Sequence, residues 1–269
     1  MVAASGKDAR PAMKGRWSST HDRSIAVTHE LFDKEGRQPG PPAASGILLY
    51  LLLLTGTALL FVLWPNLDLA TAELARSLAG GAFAPRHESW YLLYAWMKPA
   101  FLFFGGVIVL LGLVSWYLGY PLFGVTPRRA LFVVACMIVV QGLVIDVYLK
   151  GSFGRARPRE MEIFGGSFPF TPFYLVSDAC RSNCSFVSGH AGMAFSTFAL
   201  SFLPRDRGLR LWLFSASLAF GLLTGWMRVI QGGHFLSDVL FSGLVVYGIT
   251  WLMALALLRP WLRRAAAAP

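Results

Sequence analysis

Six stretches of at least 16 consecutive residues contain no Asp, Glu, Lys or Arg: residues 38–67, 99–127, 130–145, 182–204, 211–227 and 239–258. Together they hold 135 of the 269 residues. A helix exposed to water needs a polar face, whereas a helix that is apolar all round must be covered by protein or lipid. Crossing a bilayer takes roughly 20 mostly apolar residues, so the runs predict an all-α integral membrane bundle of six transmembrane helices. Only 14% of residues are charged, against about 25% in soluble domains. The expected organisation is a polar, flexible tail over residues 1–45 and one six-helix domain over 46–264, with no internal repeat. The first run is long enough to span, and 45 residues is too long for the leading region of a cleaved signal, so a span is expected there.

A net charge of +10 would suit a nucleic-acid partner if it were gathered on one folded face. Alternating the six helices from a cytoplasmic tail shows where it lies instead. Segments 1–45, 119–129, 204–210 and 259–269 carry 15 of the 24 basic residues and a net +9; everything else carries +1. That asymmetry is an orientation signal. It predicts a multi-pass inner-membrane protein with both termini cytoplasmic, no nucleic-acid partner, and outer loops at about 65–98, 150–187 and 228–234. The first outer segment, Pro65 to Pro99, is expected to form one or two short interfacial helices. Trp90, Tyr91, Tyr94 and Trp96 would lie there at headgroup depth, as an aromatic belt or as a substrate-entry surface.

Three polar clusters fall on the outer side, where ionisable groups in so apolar a chain are functional candidates. Lys150, Arg155, Arg157 and Arg159 lie within ten residues at the exit of the third run. Arg offers a planar fork of donors and Lys a point charge, which suits a phosphate, although basic residues ending a helix can also snorkel to headgroups. Ser188, Gly189 and His190 open the fourth helix, where unsatisfied backbone N–H groups and the positive dipole end favour an anion. Arg228, His234 and Asp238 surround a glycine turn. His234 and Asp238 are four apart on one helical face, so the carboxylate can fix the ring tautomer and leave the other nitrogen as a base or nucleophile.

The order Lys-x6-Arg-Pro, Ser-Gly-His and Arg-x5-His-x3-Asp, here Lys150, Arg157 and Pro158, then Ser188 to His190, then Arg228, His234 and Asp238, resembles the type 2 phosphatidic acid phosphatase (PAP2) superfamily over roughly residues 46–258. Val187 stands where that family commonly has Pro, and Met227 where it commonly has Ser, which removes one possible phosphate donor. The resemblance implies a periplasmic active-site loop and a metal-independent, cofactor-free phosphatase acting on a phosphorylated membrane lipid. His234 would attack phosphorus to give a phosphohistidine, with Asp238 orienting it. His190 would protonate the leaving oxygen and then activate water. Lys150, Arg157, Arg228, Ser188 and the Gly189 N–H would hold the phosphate. Candidate substrates are lipid A phosphates, phosphatidylglycerol phosphate, phosphatidic acid and polyprenyl pyrophosphate. Residues 164–172 and 180–190 are similar to bacterial lipid A phosphatase-like members.

Further residues keep two readings. Asp146, four before Lys150, either holds that side chain or bonds another helix. Arg155, Arg159, Glu160 and Glu162 either read a headgroup or are solvated loop charges. Cys180 and Cys184, four apart in a loop expected in an oxidising compartment, can reach disulfide distance; Cys136 reads as a small core residue. A phosphotransferase passing the same phosphohistidine group to a second lipid is the nearest alternative. A transporter is the alternative of another class, but it would place ionisable groups near the midplane of repeated halves.

Overall fold

The computed structural model describes residues 44–84 and 89–258. The tail expected over most of residues 1–45, residues 259–264 and the side chains of Trp90 and Tyr91 lie outside the described residues. Among those described, every regular element is helical, and the pairings Leu122 with Val125 and Met161 with Phe168 are isolated bridges. We number the helices α1 (Ala44–Leu63), α2 (Asn66–Leu78), α3 (Ser89–Leu118), α4 (Pro127–Ser152), α5 (Gly189–Phe195), α6 (Phe198–Ser201), α7 (Arg207–Ile230) and α8 (Leu236–Leu257).

Five of these, α1, α3, α4, α7 and α8, are long and apolar enough to cross a membrane. Two of them start at a capping side chain. Thr126 caps α4 by accepting from the Arg129 N–H at 3.3 Å, with Pro127 at the first helical position; Asp206 caps α7 by accepting from the Leu209 N–H at 2.7 Å. Their outward faces carry exposed Leu48, Leu52, Phe103, Leu110, Trp116 and Leu223. Such a surface is stable only against hydrocarbon, and the protein is a multi-pass membrane protein.

The fourth of the six runs behaves differently. Residues 182–188 are irregular, and helix forms only from Gly189, in two short pieces, α5 and α6. At the join, Ser196 Oγ donates to the Gly192 carbonyl at 2.8 Å and Thr197 Oγ1 to the Ala194 carbonyl at 2.7 Å. Hydroxyls that back-bond in this way compete with the backbone ladder and bend it. Almost every residue of α5 and α6 is buried, so the other helices shield this segment. It packs closest on α7, where Gly221 and Gly225 stand four apart. A Cβ at Gly221 would lie 2.0 Å from the Phe195 ring, and one at Gly225 would lie 2.1 Å from Val239. The pair therefore lets α5 and α8 approach the α7 backbone, a small-xxx-small contact.

Among the described residues, the first outer segment holds one short helix of its own, α2. α2 is amphipathic, with Asp68, Ala72 and Ala75 buried. Residues 89–98 instead continue into the spanning part of α3, straight through Pro99. α4 winds as a π-helix over Met137–Leu149. Its wider turn brings residues five apart onto one side, and Gln141 Nε2 donates to Asp146 Oδ2 at 3.2 Å.

Candidate active site

The end of α4, the start of α5, the turn between α7 and α8 and the irregular loop after α4 meet at one end of the bundle. There they enclose a chamber of about 30 Å³. Lys150, Arg157, Gly189, His190, Arg228 and His234 all line it, so residues 84 positions apart in sequence face a common space. Outside it opens a vestibule of about 570 Å³, walled by Phe83, Arg159, Glu160, Ser182 and Gln231; Tyr94, Arg157, Asn183 and Arg228 line both spaces.

His234 is 1% exposed. Its Nδ1 lies 2.7 Å from the Ser185 carbonyl and 3.6 Å from Asp238 Oδ2. An Nδ1–H donated to that carbonyl leaves the Nε2 lone pair for the chamber that the ring lines. Burial pushes the His234 pKa down to about 3, with Arg228 adding to the effect and Asp238 opposing it. The ring is therefore neutral and nucleophilic at neutral pH. Asp238 thus acts less directly than its spacing predicts. Its Oδ2 accepts from Ser185 Oγ at 2.5 Å and from the Phe235 N–H at 2.8 Å, and the peptide of Ser185 carries the hold onward to His234.

His190 stacks on Tyr94, ring centroids 4.4 Å apart and planes 22° from parallel. The Arg228 guanidinium sits 4.5 Å from the centre of the same Tyr94 ring, a cation–π contact, and Arg228 also donates to Gln231 Oε1. Tyr94 thus touches both the general acid–base candidate and a candidate phosphate-binding cation. Four residues on, one turn along α3, Lys98 also lines the chamber. Neither residue belongs to a motif; their i, i+4 spacing just before Pro99 was the available signal.

Lys150 Nζ lies 3.5 Å from Asp146 Oδ1 and donates to Asn183 Oδ1 at 3.0 Å, so Asp146 holds Lys150 from within its own helix. A Cβ on Gly189 would come within 2.7 Å of that Nζ, which is why the position takes no side chain. Arg157 Nη2 donates to the Asn183 carbonyl at 2.5 Å. Asn183 therefore steers two cations at once, from a left-handed backbone conformation (φ 51°) that Asn tolerates. It lies inside the five-residue segment closed by the Cys180–Cys184 bridge, whose Cα atoms are 5.6 Å apart. Mass spectrometry of non-reduced protein is expected to find this peptide lighter by two hydrogens and Cys136 free. Asn183→Ala should raise KM about tenfold by loosening Lys150 and Arg157; an unchanged KM would remove Asn183 from the site.

Two expectations need correction. Ser188 lines neither cavity. It is fully buried, its Oγ accepts from the Ala191 N–H at 3.4 Å as the cap of α5, and its carbonyl accepts from Ser242 Oγ at 2.9 Å. Of this motif, Gly189 and His190 face the chamber. Arg155, read as a headgroup contact or a solvated charge, is neither: it is 1% exposed and held between Asp68 at 2.8 Å and Asp238 at 2.6 Å. Arg159 and Glu160 do reach the vestibule, whereas Glu162 is on the surface.

Residues 129–264 match the model of the PAP2 superfamily. The chain is 36% identical over 194 residues to the lipid A 4'-phosphatase of Francisella tularensis subsp. novicida (strain U112), covering 72% of this chain and 87% of that protein. Over 109 residues it is 41% identical to the lipid A 4'-phosphatase of Rhizobium leguminosarum, covering 39% of this chain and 46% of the relative. It is 38% identical over 114 residues to a lipid A 1-phosphatase of Rhizobium etli, covering 41% of this chain and 43% of the relative. No solved structure matches the chain.

Proposed function

Because the chain belongs to the PAP2 superfamily, we propose that it removes the 4'-phosphate of lipid A through a phosphohistidine at His234. The broader activity is that of a membrane lipid phosphatase, a phosphoric ester hydrolase acting on a phosphorylated lipid. One observation carries the finer reading. A small chamber lined by two histidines and the cations Lys98, Lys150, Arg157 and Arg228 opens into a polar vestibule of about 570 Å³. The chamber suits a phosphate, and the vestibule has room for a bulky hydroxylated group carrying it, such as the sugar of lipid A. The 4' position follows the Francisella relative, most of whose length this chain covers.

In the first step His234 Nε2 attacks phosphorus, the N–P bond forms and the P–O bond breaks; His190, which burial and the neighbouring Arg228 keep neutral without a bound anion, takes up a proton as the phosphate binds and gives it to the departing oxygen. Charge on the imidazolium is met by the Ser185 carbonyl and the Asp238 carboxylate. In the second step neutral His190 takes a proton from water, whose oxygen attacks phosphorus as the N–P bond breaks. Inorganic phosphate and the starting histidines result. Lys150, Arg157 and Arg228 hold the equatorial oxygens throughout, because phosphoryl transfer asks mainly for positioning and charge stabilisation. The basic asymmetry of the sequence supports an inner-membrane orientation with cytoplasmic termini and the site at the periplasmic face.

The test offers purified protein bis-phosphorylated lipid A, phosphatidylglycerol phosphate, phosphatidic acid and polyprenyl pyrophosphate in matched micelles. Lipid A is expected to be turned over fastest, with mass spectrometry locating the loss at the distal sugar. Turnover should persist in EDTA, since side-chain cations meet the phosphate charge. Preference for a small-headgroup lipid would overturn the substrate assignment, and activity lost in EDTA and restored by a divalent cation would overturn the mechanism.

A further inference from the structure

Behind His234 lies a charged cluster of which only Asp238 belongs to a motif. Asp68 on α2, Arg155 in the loop after α4, and Ser237 and Asp238 on α8 are each no more than 2% exposed. Asp68 Oδ1 accepts from the Ser237 N–H at 2.9 Å, and its Oδ2 accepts from Ser237 Oγ at 2.6 Å and from Arg155 Nη2 at 2.8 Å. Arg155 Nη1 donates to Ser237 Oγ at 2.9 Å and to Asp238 Oδ1 at 2.6 Å, and its Nε donates to the Thr171 carbonyl at 2.8 Å. The guanidinium also lies 4.0 Å from the centre of the Phe235 ring. The chain of bonds continues through Asp238 and Ser185 to His234 Nδ1.

We propose that Asp68 is a positioning residue for the nucleophile: its carboxylate fixes Arg155 and Ser237, and through them the Asp238–Ser185 pair that holds the His234 ring.

Two physical arguments support this role. First, stability alone is a poor reason for the cluster, since buried ion pairs are often replaceable by apolar groups at little cost. What a fully satisfied buried network provides is a single geometry, and here every oxygen of both carboxylates is engaged. Second, the charges do not balance at rest. Two carboxylates face one guanidinium while His234 is neutral, and burial, with Asp238 adding to it and Arg155 opposing it, raises the Asp68 pKa. A second cation appears when His234 becomes an imidazolium carrying phosphate, so the cluster favours the state formed after attack. α2 therefore closes the circuit from outside the three motifs.

The inference rests on His234 being the nucleophile, so His234→Ala is the control: its activity tests that reading alone. Given an inactive control, Asp68→Asn should lower kcat about 10- to 100-fold, the range for partners that orient a catalytic ligand, with KM changed less than about twofold because the cations lining the chamber are untouched. Ser237→Ala, which keeps all three charges of the cluster, should lower kcat several-fold and serves if Asp68→Asn fails to fold. The decisive measurement is a double-mutant cycle. In an Asp238→Asn background Asp68→Asn should cost no more than about twofold further, because its effect passes through Asp238. Losses that multiply, a KM effect without a kcat effect, or near-native kcat in both Asp68→Asn and Ser237→Ala would each overturn the proposal.

Discussion

His234→Ala is expected to lower turnover of a phosphorylated lipid by at least about 10⁴-fold, the scale seen when a nucleophile is removed and binding alone remains. The size follows from the geometry. Nδ1 is committed to the Ser185 carbonyl, and burial keeps the ring neutral. His190, stacked on Tyr94, is the candidate for the opposite role. Substrate affinity should change little, since Lys150, Arg157 and Arg228 reach the chamber from other elements, so the loss should fall on kcat. Acid-quenched protein incubated with labelled substrate should retain no phosphate, whereas the wild type should carry acid-labile label. Because the ring is enclosed, its removal also leaves a cavity of the kind that destabilises. His234→Gln, which refills most of that space, is expected to fold like the wild type and to be as inactive as the alanine variant. Near-native turnover or intact labelling in either variant would end the phosphohistidine mechanism.

The legibility of the site in the sequence follows from how far each interaction reaches along the chain. The cap-and-histidine at Ser188 to His190 and the four-residue step from His234 to Asp238 are local, so spacing reveals them. The partner of Arg155 is Asp68, 87 residues earlier; no local pattern marks either, and Arg155 looks like one more loop charge beside Arg157 and Arg159. Similarly, the absence of charge located the spanning helices but does not by itself make a helix. Residues 182–204 are as free of charge as the others, yet Asn183 with its positive φ and the back-bonding Ser196 and Thr197 leave only α5 and α6 regular. That irregularity serves the chemistry, because a helix starting at Gly189 puts His190 and the Gly189 backbone at the chamber wall and leaves room for Asn183 to reach Lys150.

His190→Ala should be nearly as inactive as His234→Ala on a lipid phosphate, and it should fail in a different way. The alkoxide of a sugar or glycerol leaves poorly without a proton, so removing the acid blocks the first step. With an activated aryl phosphate the leaving group departs unprotonated, and His234 is still in place, held by Ser185 and the cluster behind it. Attack should then proceed while hydrolysis, which needs a base for water, stays slow. The expected result is a burst of aryl alcohol near one equivalent per protein, followed by a slow phase, with phosphate trapped on His234 in amounts exceeding those in the wild type. His190 makes one wall of the chamber and Tyr94 loses its stacking partner in the variant, so Arg228, 4.5 Å over that ring, sets how well the equatorial oxygens are still held; adding Tyr94→Phe, which keeps the ring, should leave the burst intact. A variant that loses burst and steady state together, while His234 can still be phosphorylated by other means, would show that His190 serves binding more than proton transfer. Unimpaired turnover of the lipid substrate would remove it from the mechanism altogether.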